Sequence, residues 1–126
     1  MFGVLGGITV DSSGNLFIVD TSGSRIRKLA GGMVSTLAGG SGQFTFPSDI
    51  TIDKTGNLYV TDSLDNMIVK VTQAAVITTL AGSNGNAGYV FGLATSSLVG
   101  APKGIVIDST NNIYFVDANR INIIMQ

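Results

Sequence analysis

Short apolar runs alternate with polar turn clusters along this chain, and the order of runs returns. A three-residue run, "ITV" at 8–10, "ITI" at 50–52 and "IVI" at 105–107, is followed by a turn and a second run, "NLFIV" at 15–19, "NLYVT" at 57–61 and "NIYFV" at 112–116. A third run reads "RIRKLA", "MIVKVT" or "RINIIM", and a fourth reads "MVSTLA" or "VITTLA". β-Branched and aliphatic residues spaced two apart predict strands, here eleven in the order four, four and three. Both faces of these strands carry apolar residues, as expected of sheets covered on both sides. No helix is predicted.

The turns between first and second runs are "DSSGN", "DKTGN" and "DSTNN". Asp11, Asp53 and Asp108 are placed there to accept backbone N–H groups, and Gly14, Gly56 and Asn111 to take a positive φ. Asp20, Asp62 and Asp117 open the next turn and are expected to cap it. Asp20 with Arg25, and Asp117 with Arg120, are spaced to form ion pairs across it, worth at most about 1 kcal/mol if exposed. Asp11 and Asp53 stand 42 residues apart, a propeller-like period, whereas Asp53 and Asp108 stand 55 apart. The excess is one Gly- and Ser-rich insertion.

The segments "PSDITIDKTGNLYVTDSLDNMIVKVT" and "APKGIVIDSTNNIYFVDANRINIIM", with the recurring "TLAG", resemble the NHL repeat of β-propellers. The resemblance implies an all-β chain of three propeller blades, two four-stranded and the last three-stranded. They form a single repeat domain over 1–126: blade 1 at about 7–40, blade 2 at about 47–83, an insertion loop at about 84–101 and blade 3 at about 102–126, without its outer strand. The N-terminal "MFGVL" is expected to continue an inter-blade connection, with Phe2 equivalent to Phe44 and Leu5 to Pro47. Met67 departs from the repeat by replacing the arginine found as Arg25 and Arg120.

Propellers close with about four to eight blades, so three make a half-propeller that another copy is expected to complete. The end faces are expected to carry Ile8 and Phe17 on the first blade and some of Ile105, Tyr114 and Ile121 on the third. Several hundred Å² of apolar surface on each corresponds to roughly ten kcal/mol at about 25 cal/mol per Å², before association costs. The unpaired third run, with Ile121, Ile123 and Met125, is a candidate assembly edge. Head-to-tail contact would give a closed six-bladed homodimer or an extended fibre.

Composition narrows the chemistry. The chain has no His and no Cys, so imidazole bases, thiolate nucleophiles and the usual zinc ligands are absent. NHL-type zinc lyases need His ligands, so the resemblance does not carry that activity, and no enzyme and no cofactor are expected. The "SNGNAG" stretch lacks the lysine and helix of a phosphate loop. Calcium suits Asp, but one carboxylate per repeat spreads around a ring instead of converging; Asp49 and Asp65 alone are unrepeated. Tyr89 and Phe91, in the insertion, are the candidate recognition loop, or with Leu98 a plug between blades.

A net charge of −1 with 12% charged residues gives no nucleic-acid footprint. No run is long enough to span a membrane and no uncleaved signal peptide is visible, although 44% of residues are hydrophobic. The Gly, Ser, Thr and Asn richness points to an extracellular or cell-surface protein in mature form, with the cytoplasm as alternative. The expected function is a non-catalytic structural module that self-assembles, its partners being itself and other proteins. The alternatives are a ligand-binding or calcium-dependent site at the propeller funnel, or part of a longer NHL sensor or binding domain.

Overall fold

The computed structural model describes residues 3–82, 101–117 and 120–126. Eleven strands and no helix occur among them. The first sheet has the order β1-β2-β3-β4, from β1 (Leu5–Val10), β2 (Leu16–Asp20), β3 (Arg25–Ala30) and β4 (Met33–Gly39). The second repeats it with β5 (Pro47–Ile52), β6 (Leu58–Asp62), β7 (Met67–Val71) and β8 (Ile77–Ala81). The third contains β9 (Ile105–Ile107), β10 (Ile113–Asp117) and β11 (Arg120–Ile124), with β11 at its edge. Each sheet is an antiparallel meander of sequence neighbours.

Turn chemistry sets these meanders locally. Gly14, Gly56 and Asn111 take φ of 87°, 90° and 66° in the first turn of each repeat, where a β-branched residue would be strained. The glycine of "TLAG" has its own cause. Gly39 and Gly82 have φ of 92° and 75°, and a Cβ there would lie only 2.4 Å from the Ser24 carbonyl oxygen or 1.8 Å from that of Asn66. Leu5 pairs with Asp20 as Pro47 pairs with Asp62, so the N-terminal segment follows the equivalence read from the repeat.

Strand parity divides each sheet into two faces, and the faces meet in order. Phe17, Val19 and Ile26 of the first sheet pack against Ile50, Leu58, Val60, Val69 and Val71 of the second. Tyr59, Ile68 and Ala81, on the second sheet's opposite face, pack against Ile105, Ile113, Phe115 and Ile124 of the third. β6 is therefore buried along its whole length. The expectation that the first end face carries Phe17 is corrected here, and of the third blade's three candidates Ile105 is the one not on its end face. Phe17 has the opposite parity to Ile18 and is fully buried in the first joint, and Ile105 turns inward with Phe115 at the second.

Hydroxyls at the same repeat position fasten both joints. Thr21 Oγ1 donates to the Pro47 carbonyl at 2.8 Å, and Ser63 Oγ donates to the Pro102 carbonyl. Each hydroxyl directly follows the last residue of its sheet's second strand and reaches the chain where the next sheet begins.

Candidate functional site

The two end faces expose residues that the joints bury elsewhere. Ile26 and Ile68 are fully buried, whereas Ile121, at the same position of the third sheet, is 71% exposed. Val116 is exposed where Val19 and Thr61 are buried. On the opposite end, Ile8 is 59% exposed although its equivalents Ile50 and Ile105 are buried. Val10, Val106 and Met125 are also exposed, and Tyr114 and Ile123 are half-buried. Exposed aliphatic side chains at one repeat position after another mark an unpartnered sheet face.

The third sheet's open face is shaped as well as apolar. A depression of about 300 Å³ is lined by Asp49, Gly104, Val106, Tyr114, Val116 and Ile121. The first sheet's open face places Arg27 among its aliphatics, with Nη1 donating to Thr36 Oγ1 at 3.1 Å. Lys28 lies on the other face, its Nζ 5.5 Å from the Phe17 ring centroid and 3.3 Å from Gln73 Oε1 in the turn between β7 and β8.

The turn carboxylates form a nearly identical hydrogen-bond set in each repeat. Asp53 Oδ1 accepts the N–H groups of Thr55 and Asn57, both at 2.9 Å, and Oδ2 accepts the Tyr59 hydroxyl at 2.8 Å. Asp108 accepts from Thr110, Asn112 and Tyr114 in the same way. Asp11 accepts from Ser13 and Asn15, and the next aromatic is Phe17, which has no hydroxyl to offer.

These bonds hold the carboxylates ionised. The Asn112 N–H and the groups around it pull the Asp108 carboxyl down to about 2. The Asn15 side-chain amide holds Asp11 below its ordinary value. Burial pushes Asp53 up, but the bonds from Asn57, Tyr59 and Thr55 outweigh it and the carboxyl is lowered. Tyr114 is raised by its bond to Asp108, and Tyr59 is raised chiefly by burial.

The second carboxylate set differs from repeat to repeat. Asp20 is fully buried, accepts the Gly23 N–H at 3.0 Å and pairs with Arg25 at 3.3 Å. Asp62, equally buried, reaches back to the N–H groups of Thr45 and Phe46 at 2.8 and 3.0 Å and fixes the connection that leads into β5. Asp117 is also buried. Asp65 accepts the Thr45 hydroxyl at 2.7 Å.

Asp49 stands on an inner strand where the other repeats have Gly7 and Gly104, and its Oδ2 accepts the Ile105 N–H at 3.0 Å. Its carboxylate thus ties the second sheet to the third. Among the described residues, no group of three metal-ligating side chains gathers. Tyr89 and Phe91 lie outside the described residues.

The joint-forming hydroxyls of Thr21 and Ser63 were not singled out from the sequence. For the hydroxyl pair a signal existed, because a Thr or Ser follows "VD" or "TD" and a Pro recurs at 47 and 102.

Comparison with known proteins agrees on the architecture. A family model described as a beta-propeller repeat matches residues 35–61, running from β4 into β6. A search of curated proteins finds no match. Virginiamycin B lyase from Staphylococcus aureus superposes with a TM-score of 0.68 at 23% identity, over 97% of this chain and 38% of that one. A nidogen/laminin complex gives 0.72 at 23%, over 95% and 43%. A gluconolactonase from Xanthomonas campestris gives 0.71 at 16%, over 93% and 36%. The chain thus spans about two fifths of the length of these structures. At such identities the likeness shows the fold, a set of propeller blades, and that fold serves unrelated activities.

Proposed function

We propose that this β-propeller repeat chain is a non-catalytic interaction module whose activity is association through its two open sheet faces. The observation that carries the reading is Ile121, 71% exposed at a position where Ile26 and Ile68 are fully buried. The third sheet's open face offers Val106, Tyr114, Val116 and Ile121, and the first sheet's offers Ile8 and Val10. These are the two sides of one joint, so a first sheet of one copy meets the third sheet of another, head to tail. Two copies would make six blades, within the range of closed propellers; a rotation that does not close gives a fibre.

The sequence supports the non-catalytic part, since it supplies no imidazole and no thiol. The lyase and the gluconolactonase keep an enzyme-like site at the funnel as the second reading. Its best candidate is Asp49, the one carboxylate among its repeat equivalents, but that side chain already accepts the Ile105 N–H.

Sedimentation at micromolar concentration tests the first reading. The expected result is a particle of at least twice the 13.0 kDa chain mass, and at least tenfold weaker association for Ile121→Lys. A folded monomer, or association indifferent to Ile121→Lys and Ile8→Lys alike, would sink it.

A further inference from the structure

The outer edge of β11 carries a second feature, independent of the face-to-face joint. Asn122 is only 3% exposed, yet among the described residues neither its Nδ2 nor its Oδ1 has a hydrogen-bond partner. Buried amides are ordinarily satisfied, and an unsatisfied one costs its full desolvation. The register of the other two sheets shows what is missing beside it. Asn122 occupies the position of Arg27 in β3 and Val69 in β7. In those sheets a fourth strand places Thr36 opposite Arg27 and Thr79 opposite Val69. Arg27 hydrogen-bonds across that step to Thr36.

We infer that β11 is an acceptor for an added antiparallel strand of the pattern Val/Ile-Ser/Thr-Thr-Leu-Ala, with its second hydroxyl residue opposite Asn122. A threonine hydroxyl both donates and accepts, so it satisfies either end of the amide; an aliphatic residue satisfies neither. Backbone pairing supplies the affinity and the Asn122–Thr contact supplies the register. The Leu-Ala step matters too, because both existing pairs shift register there, between Ile26 and Arg27 and between Ile68 and Val69. The occupant is an extended segment not yet part of a sheet, since β4 and β8 of any folded copy are already paired.

The test uses a labelled peptide of residues 76–82, "VITTLAG", and a version carrying valine in place of Thr79. Fluorescence anisotropy should show saturable binding of the first and about three- to tenfold weaker binding of the second. Amide exchange within β11 should slow on binding. Asn122→Val should erase the difference between the peptides. Equal affinity of the two peptides for the unsubstituted chain, or unchanged β11 exchange at saturation, would overturn the inference. Should Asn122→Val fail to fold, the peptide pair alone decides.

Discussion

The first joint, between sheets one and two, is held by apolar area; the second, between sheets two and three, is laced with directional bonds. Phe17, Val19 and Ile26 meet five aliphatic side chains across the first, with the Thr21 hydroxyl at its rim. Across the second, Thr61 Oγ1 donates to the Lys103 carbonyl at 2.8 Å, Asp49 accepts from Ile105, and the Ala101 N–H reaches Asn66 Oδ1 at 2.7 Å. One backbone repeat therefore supports two kinds of adhesion. Apolar contact is tolerant of small slides, whereas hydrogen bonds between backbone and side chain fix position.

Substitutions at the two joints separate the two kinds, and changes in the turns and in acid set the scale beneath them. The largest expected effect is at the first joint, where Phe17→Ala removes a fully buried ring and should cost about 3–5 kcal/mol in urea denaturation. A loss below about 1 kcal/mol would mean that area is not what holds it. At the second joint, Thr61→Val keeps the volume but strands the Lys103 carbonyl and the Asp49 N–H, which Thr61 Oγ1 accepts at 3.0 Å. The expected loss is about 1–3 kcal/mol, together with faster amide exchange at Lys103 and Asp49.

Smaller effects belong to the turns. Asp53→Ala should cost about 1 kcal/mol, a figure already reduced for solvent exposure, by analogy with a lost helix cap. Asp11→Ala should cost less, since its turn lacks the tyrosine hydroxyl. Equal losses in thermal melts would show that the Tyr59–Asp53 bond adds nothing to the turn.

The smallest effect is in acid. Asp11, Asp53 and Asp108 have folded carboxyls below the ordinary value of 3.8, Asp108 at about 2. An unfolded chain takes up protons near pH 4 while the folded one does not, so their stabilisation is present above pH 4 and fades toward pH 2. Replacing Asp108 by Asn should flatten that part of a pH–stability profile. An unchanged slope would assign the acid sensitivity elsewhere.

What was legible in the sequence was local. The turn "DKTGN" contains its donors, its acceptor and its positive-φ residue within five positions, so residue type alone predicts the hairpin. Eleven strands followed from the same punctuation. The orientation of the faces was not legible, because aliphatic residues occupy both parities of β2 and nothing in "LFIVD" says whether Phe17 or Ile18 meets the neighbour. The long-range ties were hidden for a different reason. Thr21 and Pro47 are 26 residues apart and Asp49 and Ile105 are 56 apart, and a hydroxyl or carboxylate looks the same in sequence whether it bonds its own turn or another sheet.

The strand order has a consequence for how this chain folds. Every sheet joins only consecutive strands, so loop closure within a sheet is short, whereas the bonds that join sheets span 26 and 56 residues and close after the meanders they connect. Communication between sheets is then nearest-neighbour, as in a linear array. The middle sheet, supported on both sides, is expected to be the last to open. Length added or removed at either terminus changes how many neighbours an end sheet has without rewriting any sheet, and stability rises by roughly one joint for each sheet joined.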